Sequence, residues 1–315
     1  MFQRVSFAAL IGCALALSAP AARAEQFINV LTGGTSGVYY PLGVALSEIY
    51  AQGIEGARTQ VQATKASVEN LNLLQQGRGE LGFALGDSVM AAVTGNAEAG
   101  FKAPLDKLRV LAAIYPNHVQ IAALSEAGIT TITDLKGKTL SVGAPKSGTE
   151  LNARAILGAA GMSYDDLGKV EYLPFAESVE LMKNRQLEAT LQSSGLGNAA
   201  LKDLASSQAI TMVAIPADVV ASIGQPYVAS VIPAGTYQGQ EADVPTASVI
   251  NYLVTSSDVP EETVYQMTKL LFEHLDTLKA AHAAAGAISL EEAAKPGPAP
   301  LHPGAERYYR EQGLL

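Results

Sequence analysis

The sequence predicts an α/β protein of two similar lobes with a cleft between them, and three observations carry that expectation. Short apolar strands alternate with amphipathic helical stretches along most of the chain, the mark of mostly parallel sheets. The alternation runs twice, restarting after Leu108. The 315 residues, 48% of them apolar, suffice for about two domains, each with its own core.

In the first run, Phe27 to Leu31 reads as a strand ending in the cluster Gly33-Gly34-Thr35-Ser36-Gly37. A helix follows with Leu42, Ala45, Leu46, Ile49 and Tyr50 on one face; Pro41 fits its first turn, where no N–H is needed. Arg58 to Ala63 is the next strand, and Ser67 is the expected cap of a helix carrying Val68, Leu71 and Leu74. Glu80 to Leu85 is a third strand.

In the second run, Arg109 to Tyr115 and His118 to Leu124 read as a strand pair broken at Pro116-Asn117. Asp134 to Lys138 is a turn, Thr139 to Gly143 a strand, and Thr149 to Ala160 a helix stopped by Gly161. Strands are expected near Val170 to Leu173, Leu187 to Gln192 and Ile210 to Ala214, with a helix from Glu177 to Asn184. Val249 to Val254 is a strand, and Pro260 to His282 one long helix striped by Val264, Met267, Leu271, Leu275 and Leu278. The stretch from Lys295 to Pro303, rich in Pro and Gly, belongs on the surface. With the C-terminal portion returning to the first half, lobe I is expected at 25–115 plus 247–315 and lobe II at 116–246. Paired crossover segments should join them, since no flexible linker is visible.

Residues 1–24 read as a secretory signal: Arg4 supplies the positive end, Val5 to Ala19 is almost wholly apolar, and Ala22-Arg23-Ala24 is a cleavage site. Leu10-Ile11-Gly12-Cys13 offers a lipoprotein alternative, but apolar residues continue well past Cys13. Cleavage removes the chain's single cysteine, and a secreted protein of this size needs no disulfide. Beyond the leader no apolar run is long enough to span a membrane. The balance of 21 basic against 30 acidic residues argues against a nucleic-acid binder, which needs clustered cations, and suits a protein diffusing in the bacterial periplasm.

Catalytic constellations are poor. His118, His274, His282 and His302 show no metal-ligand spacing; His274 and His282, eight apart, should be solvated. Gly34-Thr35-Ser36-Gly37-Val38 breaks the nucleophile-elbow pattern. Gly137-Lys138-Thr139 mimics the end of a phosphate-binding loop, but Ile132 stands where its first glycine is required. No catalytic residue, metal or cofactor is therefore expected. What the chain offers is a pair of small-residue loops at strand-to-helix junctions, Gly33 to Gly37 and Ala144-Pro145-Lys146-Ser147-Gly148-Thr149-Glu150. Each exposes backbone N–H groups at the positive end of a helix, a ready receptor for a carboxylate or phosphate. Ser147 with Glu150 also fits a capping box, so one such loop alone would mean little. Two, placed equivalently in two lobes, favour a binding site.

The segments GGTSGVYYPLG (33–43), SVENLNLL (67–74), IYPNHVQ (114–120), DLKGKTLSVGAPKSGTELNAR (134–154), IPAGTY (232–237) and LHPGAERYY (301–309) resemble the TAXI family. Its members are periplasmic solute-binding proteins of tripartite ATP-independent (TRAP) transporters. The resemblance implies a type II periplasmic-binding-protein fold and hinge closure on a small anionic organic acid, glutamate-like, a dicarboxylate or a 2-oxoacid. It also implies delivery to a sodium-driven membrane permease with fused small and large subunits. Carried onto this chain, the ligand-facing positions are Thr35, Ser36, Tyr39, Thr64 and Ser67 in one lobe. Ser147, Gly148, Thr149, Glu150, Ser193 and Ser194 face them from the other. Glu150 would either accept from a ligand amine or cap its helix, while Arg154 reads as a salt-bridge partner, with a ligand clamp as the alternative.

Lys65 and Lys146 stand where the family usually has glycine; they either face the cleft, making the solute more anionic, or are solvated. Leu85-Gly86-Asp87 replaces the family's Gln-Ser-Asp, and Ser193-Ser194-Gly195-Leu196-Gly197 replaces Thr-Ala-Gly followed by proline. These departures leave the solute open. The competing readings are an ABC-transporter receptor for sulfonates or thiamine precursors, an enzyme on the same scaffold, and a sensing partner of a receptor kinase.

Overall fold

The strand-helix alternation is realised throughout the computed structural model, which describes residues 26–315. The expected leader, residues 1–24, lies outside the described residues. The first run is β1 (Gln26–Leu31), α1 (Tyr39–Gly53), β2 (Ala57–Gln62), α2 (Ser67–Gln75), β3 (Leu81–Leu85) and α3 (Gly86–Thr94). A long strand, β4 (Leu108–Leu124), leads into the second run. That run is β5 (Thr139–Ser141), α4 (Gly148–Ala159), β6 (Lys169–Glu171), α5 (Phe175–Lys183), β7 (Ala189–Ser194) and α6 (Ala199–Ser207). It continues through β8 (Ile210–Val213), α7 (Ala217–Ile223) and β9 (Val228–Ile232). The chain returns along β10 (Val244–Ser256) and ends in α8 (Glu261–Glu273), α9 (Leu275–Ala281), α10 (Leu290–Ala293) and α11 (Pro303–Glu311).

The strands form one sheet in the order β2-β1-β3-β10-β4-β7-β5-β6, with β8 beside β4 and β9 beside β10. At one end β1 runs parallel to β2 and β3; at the other β5 runs parallel to β6 and β7. Between them β10 pairs antiparallel with β3 and β4, and β4 antiparallel with β7. Both long strands thus cross from one lobe into the other.

Apolar clusters cover both faces of each half, so the inner parallel strands β3 and β7 are buried along their whole length, while the outer strands β2 and β6 stay partly exposed. In the first lobe Ile28, Leu42, Tyr50, Leu271 and Tyr309 pack on one face, and Leu31, Val68, Leu74, Phe101 and Val254 on the other. In the second lobe the corresponding sets include Val119, Leu140, Leu157 and Leu191, and Val179, Met182, Leu201 and Leu204. Leu85 of β3 joins the second lobe's core, so the lobes are in contact. Among the described residues no helix is long and apolar enough to cross a membrane.

Several expectations need correction. β4 is unbroken at Pro116-Asn117. Ile250 pairs with Pro116 but Tyr252 with Ala113, so β4 bulges beside the proline, where the ladder is already irregular and a missing N–H is tolerated. The long C-terminal helix is two helices, divided at His274, whose Nδ1 donates to Leu270 O (3.0 Å). Ser67 is not a cap: α2 begins at Ser67 after Ala66, which adopts φ 70°, and no side chain caps it. His274 and His282 are half-buried rather than solvated; His282 Nδ1 accepts from Ala284 N (3.1 Å). The sequence pattern does not predict the helices α3, α6, α7, α10 and α11 or the strand β9.

Candidate functional site

Four parallel-strand junctions, β1–α1, β2–α2, β5–α4 and β6–α5, aim helix N-termini at one cavity of about 120 Å³. Crevices beyond the carboxyl ends of parallel strands are where open α/β sheets bind ligands. Gly33, Gly34, Gly37, Val38 and Tyr39 line it from the first junction, and Thr64, Lys65, Ala66 and Ser67 from the second. Ala144, Ser147, Gly148 and Thr149 line it from the third, Pro174 and Phe175 from the fourth. Leu85, Asn117, Ser193 and Ser194 complete the wall from β3, β4 and β7.

The first-turn N–H groups of a helix have no intrahelical acceptor, and each terminus carries roughly half a positive charge. Two such termini from each lobe make the cavity electropositive without any buried cation. Among the described residues Lys65 is the only charged side chain on the wall, and it is exposed. No lining residue is acidic. The volume lies well below the roughly 300–1,000 Å³ of sites for drug-sized ligands, which restricts the cavity to a small solute.

The polar groups behind the wall are fixed. Tyr39 stacks on Phe83 at 5.0 Å and donates its hydroxyl to Asn251 Oδ1; burial raises that hydroxyl's pKa, so it stays a neutral donor. Asn251 Nδ2 donates to Tyr115 O and to Asn117 Oδ1, both at 2.7 Å, and Asn117 Nδ2 donates to Ser193 O at 3.1 Å. This chain of partners runs from α1 through both crossover strands into β7. Thr64 Oγ1 lies 2.8 Å from Thr32 O and 2.6 Å from Asn70 Oδ1 and accepts from Ala66 N, so its hydroxyl is committed to holding the turn. Ser67 Oγ accepts from Leu85 N (3.1 Å) and also interacts with the Tyr39 hydroxyl, while Ser147 Oγ accepts from Glu150 N (3.1 Å). Ser193 Oγ is buried with no partner at all.

Of the residues expected to face a ligand, the fold brings Tyr39, Thr64, Lys65, Ser67, Ser147, Gly148, Thr149, Ser193 and Ser194 to one wall. It keeps Thr35, Ser36, Lys146 and Glu150 off it. Thr35 is exposed and Ser36 half-buried, because the glycines of that loop turn backbone rather than hydroxyls toward the cavity. Lys146 is exposed, with φ 61°, at the tip of its loop. The Glu150 carboxylate accepts from Arg154 Nε (2.6 Å) and Tyr164 OH (3.0 Å), so Arg154 serves as a salt-bridge partner. Two wall residues carry no signal in the sequence: Asn117, at the expected strand break, and Phe175, which precedes the helix expected from Glu177 onward.

None of the lining hydroxyls has a general base beside it on the wall. Among the described residues no group of three or more His, Cys, Asp and Glu could hold a metal. His302 is fully employed in structure, its Nε2 donating to Val259 O (3.0 Å) and its Nδ1 capping α11 at Gly304 N (3.1 Å).

The fold is that of periplasmic binding proteins. PhnD1 from Prochlorococcus marinus, solved with methylphosphonate, superposes with a TM-score of 0.59 at 12% identity, covering 92% of this chain and 100% of that one. MatC from Rhodopseudomonas palustris, with bound malate, gives 0.57 at 12% identity and covers 91% and 97%. The alkanesulfonate-binding protein SsuA from Xanthomonas axonopodis pv. citri, bound to MOPS, gives 0.50 at 16% identity and covers 90% and 83%. These likenesses establish architecture. Membership rests on the sequence, which matches the NMT1-like family over residues 30–313: the chain belongs to that family.

Proposed function

We propose that this protein is a periplasmic solute receptor that closes on a small organic anion and hands it to a membrane permease. One observation carries the proposal: four helix N-termini, two from each lobe, converge on a cavity whose wall has no acidic side chain. A carboxylate there meets N–H donors from both lobes, and hydrogen bonds to a charged group contribute about 1.5–3 kcal/mol each. Contacts made to both lobes at once exist only when the cleft is shut, so the solute shifts the hinge toward closure. The methylphosphonate, malate and alkanesulfonate named for the structural relatives are anions too.

The lobes of this reading are residues 25–115 with 247–315, and residues 116–246, with residues 1–24 as the export signal. The resemblance to TAXI proteins supports a sodium-driven TRAP permease with fused subunits as partner and a dicarboxylate or 2-oxoacid as solute. A second reading, an ABC-transporter receptor for sulfonates, draws on the alkanesulfonate-binding relative. Uptake by the cognate permease in proteoliposomes separates the two: a sodium gradient drives the first and ATP the second.

The solute is tested by a thermal-shift screen with four- and five-carbon dicarboxylates, 2-oxoacids, glutamate and sulfonates. A ligand at 100 times its Kd stabilises the protein by about 2.7 kcal/mol. The expected hit is a five-carbon diacid or its oxo derivative. If only uncharged or cationic compounds raise the melting temperature, the anion reading is wrong.

A further inference from the structure

A second contact between the lobes stands apart from the cavity wall. Asp87, in the first turn of α3, is half-buried, and its Oδ2 accepts from Asn152 Nδ2 (2.6 Å) and from Tyr227 OH (2.7 Å). Its Oδ1 accepts from Ser88 N (2.7 Å). Asn152 Nδ2 also donates to Tyr227 Oη (2.8 Å), so the three side chains close a triangle with every shared proton placed. α3 packs with α2, β3 and β10 in the first lobe, whereas Asn152 lies on α4 and Tyr227 belongs to the second lobe's core. None of the three lines the cavity.

We propose that Asp87 is a positioning residue that latches the closed receptor, acting through Asn152 and Tyr227 rather than through the solute. A carboxylate at the start of a helix is favoured by the helix dipole, and donors from three directions offset its loss of water. None of those partners is a cation, and burial by itself pushes the carboxyl's pKa up. The arrangement is therefore stable only while both lobes supply donors; with the cleft open, Asp87 is hydrated and Asn152 and Tyr227 lose their shared acceptor. The latch sets how much closed receptor exists before solute arrives and how slowly solute leaves.

The inference rests on hinge closure but not on the identity of the solute, and its test needs none. In a Cys13→Ser background, Glu98→Cys and Asp165→Cys place one spin label after α3 and one after α4, and distances are measured on ligand-free protein. The unsubstituted latch should show a short-distance, closed population. Asp87→Ala should reduce it at least tenfold, and Tyr227→Phe, which removes a single donor from the other lobe, severalfold in the same direction. An unchanged distribution in Tyr227→Phe and Asp87→Ala, or no closed population with the latch intact, overturns the inference. Should the distances respond while no anion binds in the thermal screen, the solute reading fails and the latch stands.

Discussion

Ser193 carries a hydroxyl that is 6% exposed as a residue, buried at the oxygen and without any partner, on the wall of an electropositive cavity. An unpaired buried hydroxyl costs stability unless something else satisfies it, and a bound anion is the natural acceptor. Ser193→Ala should therefore weaken binding of the solute found in the thermal screen by roughly ten- to a hundredfold, the worth of one hydrogen bond to a charged group. Calorimetric titration measures it, and the ligand-free melting temperature should hold or rise. At this scale the sequence was readable where a strand, a small-residue loop and a helix follow one another, which located Ser147, Gly148 and Thr149. The glycine loop from Gly33 to Gly37 was readable in the same way, but not that its backbone rather than Thr35 and Ser36 lines the wall, nor a residue such as Asn117 whose neighbour Pro116 argued against a continuous strand.

Among the elements, α2 and α4 meet end to end. A Cβ added at Gly148 would lie 2.6 Å from Ser67 Oγ and 2.7 Å from Leu85 Cδ1, and Glu69 N donates to Lys146 O (3.3 Å) across the same seam. Gly148 begins a helix, a position alanine occupies without strain, so the open protein should accept Gly148→Ala without loss. The closed one cannot. The expected result is an unchanged or slightly higher ligand-free melting temperature together with at least a tenfold loss of solute affinity by calorimetry. Element existence was legible wherever apolar residues repeat strongly, as in α1 and α4. The short helices α3 and α6 escaped because alanine, glycine and serine fill much of their inward faces. α11 escaped because Pro303 and Gly304 extend a run that resembles a surface loop, although Tyr308 and Tyr309 anchor the helix in the core.

The molecule as a whole depends on β4 and β10, where the lobes share one sheet. His118 lies at that crossing, paired with Ser248 on one side and Ser194 on the other. Burial lowers its pKa from 6.5 to about 4, and its Nδ1 has no partner. Because the folded value is depressed, the neutral imidazole contributes stability that is complete above pH 6.5 and is lost as pH falls toward 4. The difference amounts to about 3 kcal/mol. Urea midpoints measured from pH 7.5 to pH 4 should fall accordingly, and His118→Asn should flatten that part of the profile. The paired crossover was foreseeable from the repeated alternation. The contact between the lobes was not, because Asp87, Asn152 and Tyr227 come from distant parts of the chain and share no spacing that a linear reading detects.

The interleaving of β10 between β3 and β4 also governs the order of assembly. β3 and β4 emerge from the ribosome early, but the strand that joins them is made much later, and the helices covering their outer face later still. A nascent chain therefore has no finished N-terminal half to lock into place. It remains pliable until synthesis is nearly complete, a property that would suit the export proposed above.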